Sequence, residues 1–157
     1  MKVIYVAGAF TAPTPWDIEK NVRKAEEVGF MVAQVGAMPL IPHANTRFFH
    51  GQQTPQYWYD GTMELLKRCD AVIMVPGWEK SRGSVVEHAY AGCHNMQIFY
   101  ADAPTIVFGL MKKWVEEQDV EHHVQDNFDR ELSLNCGEDQ HQSEHTGTDP
   151  HNGEEPG

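Results

Sequence analysis

Short apolar runs recur along the chain, separated by longer stretches in which apolar residues return every three or four positions. The runs at 2–7 ("KVIYVA"), 38–42 ("MPLIP") and 70–75 ("DAVIMV") are short and largely aliphatic. Continuous apolar runs of this length are typical of strands that are buried on both faces of a parallel sheet. Two further runs, at 97–101 ("QIFYA") and 105–109 ("TIVFG"), predict at least one more strand.

The stretches between these runs predict helices. After Asp17, which can serve as an N-cap, apolar residues follow at helical spacing to about residue 35. Thr54 followed by Pro55 marks a second helix start, because proline suits the first helical turn. The predicted helices span 17–35, 54–68, 83–94 and 110–118, and residues 44–53 are predicted to form a loop.

Alternating strands and helices predict an α/β fold, a single-domain Rossmann-like (flavodoxin-like) parallel sheet with helices on both faces. Ligands bind to such sheets beyond the carboxyl ends of the strands. Three loops should meet there, at 8–16, 42–55 and 76–84. We therefore expect the functional residues in these loops and at the helix starts beside them.

Charge divides the chain of 157 residues into two parts. Residues 1–120 have a net charge of −2, whereas residues 121–157 carry −9 and Arg130 is their only Lys or Arg. We expect a folded domain over 1–120 and an acidic, largely disordered tail over 121–157, because no large apolar side chain follows Cys136. Its histidines match no metal motif, so a solvated tail is favoured over a metal site. The acidic balance also argues against nucleic-acid polymers as partners.

No apolar run approaches the ~20 residues that a membrane span requires, so no membrane partner is expected. The N-terminal run is too short for a signal peptide. Cys69, Cys93 and Cys136 lack metal-type spacing and fit free thiols in a reducing cytoplasm. The chain also lacks the G-x-G-x-x-G, Walker and G-x-S-x-G motifs. We therefore expect neither a cofactor nor a metal.

The stretch "GWEKSRGSVVEHAYAG" (77–92) holds the main candidate chemistry. Ser81, Gly83 and Ser84 stand where a strand gives way to a helix, and free backbone N–H groups at a helix start favour an anion. Glu87 follows within the next turn and would suit a nucleophile or a charge stabiliser. Each residue alone also has a structural explanation: Ser81 as an N-cap and Glu87 as a charge near a helix end.

Other candidates come from the neighbouring loops. Gly8 would let the backbone approach a ligand. One or two of the aromatic residues in or near the three loops should stack on a base, and the others should lie in the core or at a subunit contact; the candidates are Phe10, Trp16, Phe48, Phe49 and Trp78. Asp60 lies in the middle of a predicted helix and alone would be a solvated residue. Asp70 opens a strand and is better explained as a turn acceptor. Each candidate alone has a structural explanation. The expected placement of the candidates together at one sheet edge favours a catalytic interpretation.

The segments "IYVAGAF" and "YDGTMELLKRCDAVIMVPGWEKSRGSVVEHAYA" resemble the nucleoside 2-deoxyribosyltransferase superfamily, over roughly residues 3–108. The chain is most similar to a phage-associated branch of largely unassigned function, and is also similar to deoxynucleoside 5′-monophosphate N-glycosidases. The resemblance implies that Glu87 attacks the anomeric carbon, that Asp60 is proton donor and base, and that Ser81 holds a 5′-phosphate. Tyr5 matches a tyrosine in the first strand of the transferases.

Two positions depart from the family pattern. Arg82 stands where many members have Asp, which would favour a phosphate, and Val85 and Val86 replace small or aromatic residues. The selectivity for base and sugar is therefore open.

The expected function is cleavage or transfer at the N-glycosidic bond of a (deoxy)nucleoside or nucleoside 5′-monophosphate. Two carboxylates suffice for such a double displacement, one attacking and one protonating the leaving base. Hydrolysis and transfer remain alternatives. A non-catalytic nucleotide-binding or signalling module, and a degenerate member that acts in assembly, are the competing interpretations. The resemblance further implies a homo-oligomer, since relatives complete their sites across subunits.

Overall fold

Parallel strands form one sheet in the computed structural model, which describes residues 1–49 and 51–135. In this part of the chain the strands are Val3–Ala7 (β1), Met38–Leu40 (β2), Ala71–Met74 (β3) and Gln97–Tyr100 (β4). Their order is β2-β1-β3-β4, and each neighbouring pair is parallel. The predicted α/β class is confirmed, and this order is that of the first four strands of a flavodoxin-like sheet.

The helices of the described residues are Pro15–Gln34 (α1), Pro42–Asn45 (α2), Pro55–Leu66 (α3), Arg82–Cys93 (α4) and Pro104–Asn135 (α5). α1, α3 and α4 begin within two residues of the predicted positions, whereas α2 was not predicted and α5 begins about six residues earlier than predicted. Thr54 caps α3 and Ser81 caps α4, as the sequence indicates. The cap of α1 is Thr14 rather than Asp17, because the backbone N–H of Asp17 donates to the Thr14 hydroxyl at 3.2 Å. The predicted loop begins with the short helix α2.

The last helix is longer than the sequence pattern indicated. Of the two late apolar runs, the first forms β4, whereas 105–109 lies within α5. Val107, Met111 and Val115 recur every four residues and are buried, which is the period of a helix packed on one side. The chain divides into two compact units, Met1–Asp119 and Val120–Gly157. α5 continues beyond the predicted domain end to Asn135, and the predicted disorder of 136–157 lies outside the described residues.

Alternate residues of the central strands point to opposite faces of the sheet. Ile4, Val6 and Ile73 pack with the buried faces of α1 and α5, and Tyr5 and Met74 pack on the other side, with α3 and α4. Helices therefore cover both faces, as predicted. Burying an aliphatic side chain of this kind contributes about 1.5–3 kcal/mol.

Asp70 is a structural residue at the amino end of β3. Its carboxylate accepts the backbone N–H of Val3 at 2.7 Å and the Lys2 ammonium at 3.3 Å. These bonds tie the start of β3 to β1. Asp70 is thus a hydrogen-bond acceptor at a strand start, as its position in the sequence predicted.

Across the described residues, none of the helices combines the length and the apolar character required to span a bilayer.

Candidate active site

A cavity of about 470 Å³ lies at the carboxyl ends of the strands. All three loops that were predicted to meet contribute to its wall, together with one face of α3. The described residues that line it are Tyr5, Gly8, Phe10, Thr11, Pro42, His43, Thr46, Phe49, Gly51, Gln53, Pro55, Trp58, Tyr59, Thr62, Ser81, Gly83, Ser84 and Glu87. β1 and β3 are neighbours here although β2 separates them in sequence, which is where ligands bind in doubly wound sheets.

Glu87 is buried in the wall of this cavity, with 8% of its surface exposed. Ser84, Glu87 and Ala91 form the inner face of α4, so the helix directs a carboxylate towards the sheet. The Tyr5 hydroxyl donates a hydrogen bond to Glu87 Oε1 at 2.6 Å, a length typical of an O–H group bound to an ionised carboxylate. Burial raises the pKa of Glu87 to about 6, and the Tyr5 hydrogen bond opposes that rise. Most of the Glu87 side chains are therefore ionised at pH 7.

Tyr5 holds this carboxylate from the middle of β1. Burial and then the charge of Glu87 raise the pKa of the Tyr5 phenol far above its usual range, and a hydrogen bond with Thr62 acts in the opposite direction. The phenol therefore keeps its proton, and it orients one Glu87 oxygen. The other oxygen is left for a ligand.

The start of α4 supplies a second group of polar atoms. Ser81 accepts the backbone N–H of Ser84 at 3.4 Å. The Ser84 hydroxyl is buried and has no hydrogen-bond partner among the described residues. Unpaired N–H groups of a first turn and a free hydroxyl together form a suitable anion site. Arg82 is exposed and does not line the cavity.

His43 is a buried polar residue on the opposite wall, in α2. Its Nε2 lies 2.9 Å from the Gly8 carbonyl oxygen, so this nitrogen must carry a proton and donate it. Burial lowers the pKa of His43, against the effect of the Gly8 and Ala9 carbonyls. The ring is therefore neutral and its Nδ1 is an acceptor, which finds no partner in the described part of the chain. This nitrogen can accept an N–H or O–H of a ligand.

Gly8 is required by the close approach of two strand ends. A Cβ atom at this position would lie 2.9 Å from the Val75 Cβ atom. The glycine thus allows β1 and β3 to end side by side at the cavity wall, and it also lines the cavity itself.

The structure does not bring Asp60 to Glu87. The cavity face of α3 consists of Pro55, Trp58, Tyr59 and Thr62, which are spaced at helical intervals, and Asp60 lies about 100° further round the helix than Tyr59. Asp60 is exposed and accepts a hydrogen bond from the Gln56 amide at 2.7 Å. Thr62, not Asp60, faces the buried pair, so the expected proton donor lies outside the cavity.

Trp78 also lies outside the cavity. Its ring stacks on that of His88 with 4.4 Å between the centroids, and it packs against the core on the Tyr5 side of the sheet. The aromatic wall is formed instead by Phe10, Phe49, Trp58 and Tyr59. Phe10 and Phe49 are the members of this wall that the sequence identified.

Sequence reasoning missed His43 and Thr62. Both could have been found: His43 is the ionisable residue directly after β2, within a loop that was expected at the site. A helical-wheel plot of α3 with Trp58 and Tyr59 on one face places Thr62 on that face and Asp60 beside it. A choice based on carboxylates alone selected Asp60, which does not lie on the cavity face of α3.

The chain belongs to the family described as "Domain of unknown function (DUF4406)", whose model matches residues 2–100. The match includes every described residue that lines the cavity. Comparison with curated proteins finds no match.

Proposed function

We propose that this chain cleaves or transfers at the N-glycosidic bond of a (deoxy)nucleoside or nucleoside 5′-monophosphate, with Glu87 as the nucleophile. The observation that carries the proposal is a largely ionised carboxylate, buried in a cavity wall and oriented by the Tyr5 hydroxyl at 2.6 Å. A desolvated carboxylate of this kind is suited to attack a saturated carbon, because little water must be removed from it first.

In the proposed reaction, a Glu87 oxygen forms a bond to the anomeric carbon while the bond from that carbon to the base breaks. The electron pair of the broken bond leaves with the base, and a base that departs as an anion takes up a proton from solvent. The sugar is then held as an ester of Glu87. Water releases the free sugar, or a second base takes it up, and the reaction ends with Glu87 as a carboxylate again. The Tyr5 hydroxyl remains hydrogen-bonded to the Glu87 carboxyl group throughout. It stabilises the negative charge that returns to Glu87 when the bond to the sugar breaks.

A 5′-phosphate would lie at the start of α4. Backbone N–H groups there are free to donate, and Ser81 and Ser84 supply hydroxyls. No Lys or Arg lines the cavity among the described residues, so these neutral donors would hold the phosphate.

The assembly into a homo-oligomer remains part of the proposal, and light scattering of the purified chain tests it.

The test is a panel of nucleosides and 5′-monophosphates, ribo and deoxyribo, incubated with the full chain and assayed for free base by mass spectrometry. We expect base release from at least one substrate and none from Glu87→Gln. Glu79→Gln is the matched control, since Glu79 is exposed and does not line the cavity. A sugar adduct on the peptide that contains Glu87 would identify the nucleophile. Turnover that persists in Glu87→Gln would refute the role of this residue.

A non-catalytic nucleotide-binding module is the second candidate. It is favoured by the placement of Asp60 outside the cavity, because Glu87 then lacks a carboxylic acid partner among the described lining residues. Calorimetric binding of a nucleotide without release of base from any member of the panel would support this module over the enzyme.

A further inference from the structure

Glu87 is the single carboxylate among the described residues that line the cavity. An enzyme that breaks a glycosidic bond with two carboxyl groups needs one of them to protonate the leaving group. The exposed Asp60, which pairs with Gln56, does not supply that proton from its position on α3. Another group in the cavity would therefore have to protonate the leaving group.

The remaining ionisable groups in the described lining are Tyr5, His43 and Tyr59. Tyr5 directs its proton to Glu87, and burial together with that charge raises its pKa, so it is a weak acid. His43 is neutral, and its one N–H points to the Gly8 carbonyl. Phenols and the hydroxyls of Ser and Thr are in general much weaker acids than a carboxylic acid. The described cavity therefore holds a nucleophile without a matched acid.

The chemistry of the leaving group decides what such a site can cleave. A neutral purine or pyrimidine departs as an anion unless it is protonated, and a general acid typically contributes 10²–10⁴-fold to such a step. A base that already carries a positive charge on its glycosidic nitrogen departs as a neutral molecule. It needs no proton from the protein.

The walls of the cavity suit a cation. Glu87 provides negative charge, and no Lys or Arg is present in the described lining to repel a positive ring. Phe10, Phe49 and Trp58 present aromatic rings, on which flat cations bind through cation–π attraction. His43 also lines the cavity, and its buried Nδ1 is an acceptor without a partner among the described residues.

We propose that the substrate is a nucleoside or nucleoside 5′-monophosphate whose base is a pyridinium-type cation. This inference rests on the proposed N-glycosidic function and narrows its substrate class. A Glu87 oxygen bonds to the anomeric carbon, and the electron pair of the breaking carbon–nitrogen bond passes to the ring nitrogen and neutralises its charge. Water then attacks the ester, releases the sugar with a hydroxyl group, and gives up one proton to solvent.

The experiment compares nicotinamide mononucleotide with its reduced dihydro form, which has nearly the same size but a neutral glycosidic nitrogen. AMP and dAMP serve as further neutral-base substrates. We expect kcat/KM for release of the base from the oxidised form to exceed that for the neutral substrates by the order of 10²–10⁴, the usual contribution of a general acid. The comparison uses the native chain, so it does not depend on the folding of a variant. Glu87→Gln should abolish the release, and Glu79→Gln should not.

The pH dependence gives a second, independent readout. For the cationic substrate, kcat/KM should rise through the pKa of Glu87, about 6, and stay level at higher pH. A fall in kcat/KM above neutral pH would reveal a general acid and overturn the inference, as would equal or faster cleavage of the reduced form, AMP or dAMP. The broader N-glycosidic function would survive both of those results. Absence of base release from every substrate would overturn the broader function as well.

Discussion

Replacing Glu87 by glutamine should stabilise the protein at neutral pH. The pKa of this carboxyl rises from its ordinary 4.5 to about 6 on folding because the folded state withdraws it from water. A carboxyl that binds its proton more tightly in the folded state favours folding at low pH and disfavours it once ionised. The difference between 4.5 and about 6 corresponds to about 2 kcal/mol. Glutamine has the same shape without the charge and can still accept the Tyr5 hydroxyl.

The assay is urea unfolding of the native chain and of Glu87→Gln between pH 4 and 8. Above pH 6 the variant should be more stable by up to about 2 kcal/mol, and the two proteins should become equal below about pH 4.5. Glu79→Gln, an exposed substitution, should differ from the native chain by less than about 0.5 kcal/mol at every pH.

The reasoning would be refuted by a variant that is less stable than the native chain at pH 8. It would also be refuted by a stability difference that does not vary with pH. In the first case the carboxylate would be held by favourable contacts rather than by burial, and in the second it would not titrate with folding. Enzymatic activity and stability are thus expected to move in opposite directions at this residue.

Three further substitutions test the other parts of the site. Tyr5→Phe removes a hydrogen bond to a buried carboxylate, so it should lower the free energy of unfolding at pH 8 by about 1.5–3 kcal/mol. The same substitution should move the rising limb of the pH–rate profile to higher pH, because the Tyr5 bond lowers the pKa of Glu87; an unmoved limb would contradict this. Ser84→Ala removes a buried hydroxyl that has no partner in the described residues, so it should raise the free energy of unfolding by about 1–3 kcal/mol, the cost of burying an unpaired polar group. Calorimetry should show that monophosphates bind this variant about tenfold more weakly and nucleosides unchanged, and equal losses for both would exclude a phosphate contact. Asp60→Asn should leave kcat within a few fold of the native value, since Asp60 is exposed on the outer side of α3; a loss in the range of 10²–10⁴ would restore it as the general acid.

Much of the fold was predictable because the buried strands carry almost no polar residues. β1 and β3 are continuous apolar runs, and the caps Thr54 and Ser81 mark two helix starts by chemistry that is local in sequence. The run at 105–109 was ambiguous because short apolar runs suit both strands and buried helices. Its helical state follows from the contacts of Val107 and Met111 with the sheet, which local sequence does not contain.

The site was predictable only in part, for a different reason. Glu87, Ser81 and Ser84 were found because one short segment holds them all at a helix start. Asp60 was chosen for its charge, but which face of α3 meets the cavity depends on how Leu66 of that helix packs in the core with Tyr5 and Met74 of the sheet. Trp78 was chosen for its aromatic ring, but that ring packs against the core and does not line the cavity. Residue type therefore indicated candidate residues, whereas packing decides which of them line the cavity.

The hydrogen bond between Tyr5 and Glu87 joins residues that are 82 positions apart. Proteins are synthesised from the N-terminus at about 5–20 residues per second, so Glu87 is added to the chain roughly 4–16 s after Tyr5. Until β3 has paired with β1, a nascent chain contains the strand that carries Tyr5 but has no cavity and no positioned carboxylate. Fragments that end before α4 should therefore be inert towards cellular nucleotides, and the proposed chemistry is confined to the fully translated sheet.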